Sequence, residues 1–131
     1  DTYTVLIEQA PVDEAIVHTA VKGLDVLPAS MDLAGAEVHL INMPERELIL
    51  KRACESLKSP YQYLLFDCPP ALGLLTINAL VAADSTMIPV QCEYLALEGL
   101  NALMHSVALI KQRLNRLPFR LGNFMQFLKQ R

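Results

Sequence analysis

The sequence has few charged residues and no long uninterrupted apolar run. Of its 131 residues, 53% are hydrophobic and 19% are charged, whereas about 25% are charged in an average soluble domain. No apolar run reaches the roughly 18 residues that a membrane-spanning helix needs, and the first residues lack the basic start of a signal peptide. These values exclude a disordered chain and favour a domain with a sizeable core.

Paired cysteines and basic blocks are also missing. Cys54, Cys68 and Cys92 lie far apart, with no Cys-x-x-Cys pair. This odd, scattered set predicts reduced thiols in a cytoplasm rather than a disulfide framework. The net charge is −3, without a dense basic segment. Strong nucleic-acid binding by this chain alone is therefore not predicted.

The elements that the sequence does contain alternate between short apolar strands and longer helices. In chain order they are a short helix over Val12–Val17, a strand over Leu24–Leu27, a helical region from Ser30 with that residue as N-cap, a helix opened by Pro44 and ending near Lys58, a strand over Tyr63–Phe66, a buried helix over Leu72–Ala83, a strand over Thr86–Val90, a helix over Leu97–Leu117 and a last strand over Phe119–Leu121. This order predicts an α/β fold, a parallel sheet with flanking helices and right-handed crossovers.

One carboxylate, Asp67, stands between two apolar segments. It follows the predicted strand Tyr63–Phe66, and the prolines after it have no backbone N–H, so the chain must leave the ladder there. Ligands of open parallel sheets bind beyond the carboxyl ends of the strands. The next strand ends in Gln91-Cys92-Glu93, which places polar residues at the same edge.

Two interpretations of Asp67 follow from this pattern. A carboxylate after an apolar strand is typical of a Walker B residue, which holds Mg²⁺, directly or through water, beside the phosphates of a nucleotide. The alternative is that Asp67 only caps the helix that starts near Leu72. The residue pattern alone leaves both open.

A longer pattern carries a family resemblance. The segment YQYLLFDCPPALGLLTINALVAADSTMIPVQCEYLALEGL resembles the core of the ParA/Soj partition ATPases, relatives of MinD, and GLDVLPASMDLAGAEVHL and APVDEAIV resemble the segments before it. The resemblance implies a P-loop NTPase-like fold that binds Mg-ATP and forms a homodimer around two nucleotides. It further implies nonspecific DNA binding, stimulation by a ParB-like partner protein and a cytoplasmic, nucleoid-associated location in bacteria.

The resemblance also assigns the site residues. Asp67 corresponds to the Walker B aspartate, with catalytic, nucleotide-binding and metal-binding roles. Cys68, Pro69 and Pro70 correspond to the loop that follows it. Gln91 and Glu93 fall in a family loop near the nucleotide and the dimer side.

The family's phosphate-binding loop, a KGGxGKT-type segment, does not occur in these residues, because none of the five glycines precedes Lys-Thr or Lys-Ser. Such a loop cradles phosphates with backbone N–H groups and neutralises them with its lysine. We therefore expect residues 1–131 to be a single partial domain, an interior fragment or truncated gene product of a ParA-like ATPase, inactive on its own.

Other interpretations remain beside the partition ATPase. One is a nonenzymatic remnant that only binds protein partners, through the helix over Leu97–Leu117. Another is a relative on the same fold with other chemistry, such as the nitrogenase iron protein or the enzymes of cobyrinate amidation. The segment FMQFLKQR at residues 124–131 is too short to predict a membrane anchor.

Overall fold

A computed structural model gives the fold. It describes residues 1–58, 60–69, 71–88, 94–114 and 120–122. The chain divides into two compact units, Asp1–Ala82 and Ala83–Arg131, which are taken in turn.

The first unit is mostly helical. Its helices are α1 (Thr2–Ile7), α2 (Val12–Ala15), a 3-10 helix (Met31–Gly35), α3 (Ala36–Leu40), α4 (Ile49–Glu55) and α5 (Leu74–Ala82). Helix α1 was not predicted, although its first turn has a capping box in which the Asp1 carboxylate accepts the N–H of Thr4 at 3.1 Å. Helix α5 confirms the predicted helix over Leu72–Ala83.

A short hairpin follows α2. Strand β1 (Val17–His18) pairs antiparallel with β2 (Asp25–Val26), and Gly23 adopts a φ of +81° in the connection, a value that glycine takes without strain. The strand predicted over Leu24–Leu27 is thus confirmed in shorter form. Its antiparallel partner was not predicted, because Val17 was assigned to the preceding helix.

The hairpin is joined to a later segment through one carboxylate. Asp25 lies 2.8 Å from Nδ1 of His18 and accepts the hydroxyl of Tyr61 at 2.8 Å. The bonds from His18 and then from Tyr61 lower the pKa of Asp25, and the same carboxylate raises the pKa of Tyr61.

The core of the first unit forms between α1, α4 and α5. Leu6, Leu50 and Ala79 are buried together. Half-buried side chains pack around them, and these are Ile7, Leu33, Ile49, Cys54, Phe66, Leu75 and Ala82. Burying a side chain the size of leucine stabilises a fold by about 1.5–3 kcal/mol, so this cluster stabilises the packing of α1, α4 and α5.

Asn78 is the polar exception inside this core, with no exposed surface. Its side-chain oxygen accepts the N–H of Leu50 at 3.1 Å, and its amide nitrogen donates to the carbonyls of Arg46 at 2.7 Å and Leu74 at 2.9 Å. Leu48, the N-cap of α4, makes no side-chain capping bond. Asn78 on α5 therefore satisfies an N–H in the first turn of α4 from another helix.

One local prediction is wrong, the strand over Tyr63–Phe66. Residues 63–66 run without strand pairing, and the side chains of Tyr63 and Leu65 are 83% and 91% exposed. A strand exists only where a neighbouring strand accepts and donates its hydrogen bonds, and no described segment lies beside these residues as a strand. Ser30 is the N-cap of the 3-10 helix, as predicted, although its hydroxyl makes no capping hydrogen bond.

The second unit contains β3 (Ser85–Met87), α6 (Tyr94–Leu114) and β4 (Arg120–Gly122). Strands β3 and β4 pair in parallel, with Thr86 opposite Leu121. The parallel pairing confirms the predicted arrangement of the last two strands, and a helix connects them as parallel strands require. The predicted helix over Leu97–Leu117 is confirmed up to Leu114, and Pro89 and Pro118 lie outside the described residues.

Candidate functional site

Asp67 is held at the surface by the residue before it. Phe66 packs against the core of the first unit, whereas Asp67 is exposed. The Asp67 carboxylate accepts no hydrogen bond from the described residues. The apolar neighbour therefore fixes the backbone while the carboxylate stays open to solvent and to a ligand.

Cys68 turns back toward the same anchor. Its thiol donates to the carbonyl of Phe66, with a sulfur-to-oxygen distance of 3.7 Å. Partial desolvation of the sulfur and, after it, the negative charge of Asp67 raise the pKa of the Cys68 thiol. Reactive cysteines need a lowered pKa, so Cys68 is not set up as a nucleophile and a role in shaping the loop fits it better.

The other end of the loop is tied to α5. We call residues 67–73 the Asp67 loop. The hydroxyl of Thr76 donates to the carbonyl of Ala71 at 2.7 Å, and the N–H of Ile77 donates to the carbonyl of Gly73 at 2.9 Å. The loop is thus fastened to the core at its start and to the first turns of a helix at its end.

The capping alternative for Asp67 does not hold among the described residues. Helix α5 begins at Leu74, and the N–H of Leu75 donates to Oε1 of Glu37 at 3.3 Å. The carboxylate at the start of this helix therefore comes from α3 and not from Asp67.

The structure brings only part of the predicted site together. Asp67, Cys68 and Pro69 are described, and all three are exposed. Pro70, Gln91 and Glu93 lie outside the described residues.

The Asp67 carboxylate fits one kind of metal site. Among the described residues, no group of three His, Cys, Asp or Glu side chains is arranged to hold a metal ion. Magnesium, however, keeps several of its waters and binds through one or two carboxylates together with phosphate oxygens of a substrate. A single exposed carboxylate on an anchored loop fits this mode, and it does not fit a zinc site closed by protein ligands.

Sequence reasoning missed Glu37, Gly73 and Asn78. A glycine immediately before an apolar helix was a visible signal for Gly73. The contact partners of Glu37 and Asn78 lie 38 and 28 residues away along the chain, and helical periodicity carries no information about such distant pairs.

Comparison with known proteins defines the class. Residues 1–117 match the family model described as an AAA domain. The chain therefore belongs to this family.

Similar proteins identify the group within the AAA-domain family to which the chain belongs. The chain is 54% identical over 113 residues to the sporulation initiation inhibitor protein Soj of Bacillus subtilis, a match covering 86% of this chain and 45% of Soj. It is 51% identical over 113 residues to the chromosome partitioning protein ParA of Myxococcus xanthus, covering 86% of this chain and 40% of that protein. Within the AAA-domain family the chain belongs to the ParA/Soj partition proteins, as its sequence predicted, and it spans less than half the length of these relatives.

Solved structures share the fold. A cobyrinic acid a,c-diamide synthase from Mycobacterium smegmatis, with bound ATP analogue and magnesium, superposes with a TM-score of 0.84 at 37% identity, over 92% of this chain and 49% of that one. A plasmid partition protein from Borrelia burgdorferi superposes with a TM-score of 0.77 at 28% identity, over 91% and 49%. These likenesses confirm the predicted α/β, P-loop NTPase-like fold, here incomplete.

A search of the described residues for a helix long and apolar enough to cross a membrane found none. The segment at 124–131 lies outside the described residues.

Proposed function

We propose that this chain is the part of a partition ATPase that supplies the metal-binding carboxylate of the nucleotide site. The observation that carries the proposal is Asp67, an exposed carboxylate that accepts no hydrogen bond from the described residues and follows a core-anchored Phe66. Relatives named as chromosome partitioning proteins support the role. A structure of the same fold with bound ATP analogue and magnesium supports the ligand.

The chain's own residues would act through position and charge. Asp67 would hold Mg²⁺, directly or through a water molecule, beside the phosphates of ATP. Bound magnesium neutralises the charge that develops on the phosphates during transfer. Cys68, Pro69 and Pro70 would set the path of the Asp67 loop, and Gln91 and Glu93 would lie toward the nucleotide and the second protomer.

In the complete protein we propose a homodimer that encloses two ATP molecules, binds DNA without sequence preference and responds to a ParB-like partner. These properties rest on membership of the partition family. A cytoplasmic, nucleoid-associated location follows from the same membership.

A hybrid protein tests the proposal. The 113 aligned residues of this chain replace their counterparts in Bacillus subtilis Soj, and ATP hydrolysis is measured with and without magnesium. We expect Mg²⁺-dependent hydrolysis in the hybrid and a loss of at least about tenfold in Asp67→Asn, since one removed charge contact to a metal–phosphate group is worth more than about 1.4 kcal/mol. Asp32→Asn, the same change at an exposed residue of the 3-10 helix, is the matched control and should hydrolyse ATP like the parent hybrid.

The alternative functions predict different results. If the chain is a nonenzymatic remnant that only binds protein partners, the hybrid folds but hydrolyses no ATP. If it belongs with the cobyrinic acid diamide synthases, the hybrid fails to respond to a ParB-like partner while still binding Mg-ATP. The identity of 51% to the chromosome partitioning protein ParA of Myxococcus xanthus, against 37% to the cobyrinic acid diamide synthase, favours partitioning.

A further inference from the structure

Glu37 reaches from α3 to the start of α5. Its Oε1 accepts the N–H of Leu75 at 3.3 Å. A Cβ placed on Gly73 would lie 2.0 Å from the same oxygen and 2.8 Å from Cδ of Glu37. The carboxylate therefore occupies the space that the side chain of any other residue at position 73 would fill, and such a side chain would displace it.

Three features hold the carboxylate there. Helix α3 places Glu37 between Ala36 and the core-facing Leu40, both of which have no exposed surface, so the backbone that carries Glu37 is fixed. Glu37 is itself half-buried. The first N–H groups of a helix have no partner within the helix and carry partial positive charge, so a carboxylate is stabilised at that end of α5.

The Glu37 contact also restrains the Asp67 loop. Its first residue follows the core-anchored Phe66, and its last residue, Gly73, lies under the Glu37 carboxylate. With both ends fixed, the loop has few ways to direct Asp67. The second end is held by the bonds of Thr76 and Ile77 as well as by Glu37, so removing the Glu37 contact loosens this end without freeing it.

We propose that Glu37 is a positioning residue for Asp67: its carboxylate locks the junction of the Asp67 loop and α5 and thereby sets the direction of the metal-binding carboxylate. The proposal rests on the proposed function for its consequence in catalysis. The contact itself is independent of ATP and metal and is tested without them.

Amide hydrogen exchange of the full 131-residue chain measures the contact. Glu37→Ala removes a charged acceptor and leaves the N–H of Leu75 without this partner, so it should lower the protection of the Leu75 amide on the order of tenfold. Glu37→Gln keeps an acceptor oxygen and should restore part of that protection. Glu55→Ala, the same change at an exposed glutamate of α4, should leave Leu75 unchanged.

Gly73→Ala gives an independent test. The added methyl group displaces the carboxylate, so this variant should lose Leu75 protection as Glu37→Ala does. In the Glu37→Ala background the methyl group meets no carboxylate, and the second substitution should add little further loss. Independent, additive losses in the two variants would contradict the proposed contact.

Cys68 reports whether the loop itself moves. Its alkylation by iodoacetamide at one fixed pH, followed for each cysteine by peptide mass spectrometry, depends on how often the thiol leaves the carbonyl of Phe66. We expect Glu37→Ala to raise the alkylation rate of Cys68, because a looser loop frees this thiol more often, and Glu37→Gln to raise it less. The alkylation rate of Cys54, in the core cluster, should stay unchanged.

The outcomes separate the two proposals. Unchanged Leu75 protection in Glu37→Ala overturns the contact, and lost protection with an unchanged alkylation rate of Cys68 overturns the positioning role. Full activity of the Asp67→Asn hybrid instead overturns the metal role of Asp67. It does not affect the results expected for Leu75 protection and Cys68 alkylation.

Discussion

Replacing Asn78 by alanine should destabilise the first unit strongly. The substitution removes the acceptor for the N–H of Leu50 and the donor to the carbonyl of Arg46. An unpartnered buried polar group costs about 1–3 kcal/mol, and the bond to Leu50 lies in the buried core. We therefore expect a loss of about 2–4 kcal/mol, a large part of the about 5–15 kcal/mol that stabilises a typical domain.

Urea unfolding followed by far-ultraviolet circular dichroism measures this loss. Asn101→Ala is the matched control, since Asn101 is exposed on α6 and alanine is the better helix former; its unfolding should change by less than about 0.5 kcal/mol. Asn78→Asp keeps the shape but sets a carboxylate against the carbonyls of Arg46 and Leu74, and it should be at least as unstable as Asn78→Ala. A loss below about 1 kcal/mol in Asn78→Ala, with an unchanged slope in urea, would refute the proposed role.

Three further predictions follow from other parts of the molecule. Asp25 has a lowered pKa in the folded state, so its stabilising effect is present above its ordinary pKa and lost as the pH falls through the lowered value; Asp25→Asn should flatten the acid limb of a stability–pH curve. Leu65, which is 91% exposed, should promote self-association of the 131-residue polypeptide, and Leu65→Lys should reduce the molar mass seen by light scattering at high concentration. Finally, this polypeptide should show no micromolar binding of Mg-ATP by calorimetry, because it contains no phosphate-binding lysine loop; micromolar binding that disappears in Asp67→Ala would contradict the prediction.

The helices that the sequence predicts best are those with long apolar patterns. Helix α5 and most of α6 were placed correctly because their apolar residues are dense enough to define a helix without knowledge of the neighbours. Helix α1 was missed, since its six residues are too few for a periodic pattern and its start depends on one capping box.

The strand prediction over Tyr63–Phe66 shows the limit of local reasoning. An apolar run indicates that a segment favours burial, but strand pairing needs a second strand beside it. Asp67 was identified from its place after that run and from the family pattern, and its role as a metal-binding residue stays a prediction. The contact that holds the end of the Asp67 loop was not predictable, because Glu37 and Leu75 come from distant parts of the chain.

The most direct test of the central claim is the magnesium dependence of ATP binding by the Soj hybrid. ATP affinity is measured by calorimetry at increasing Mg²⁺ concentration in the parent hybrid and in Asp67→Asn. If Asp67 holds the metal, the variant binds ATP like the parent without magnesium and needs on the order of tenfold more Mg²⁺ to reach the same gain in affinity, as the loss of about 1.4 kcal/mol predicts. Equal magnesium dependence in the two proteins would contradict the claim that Asp67 is the metal-binding residue.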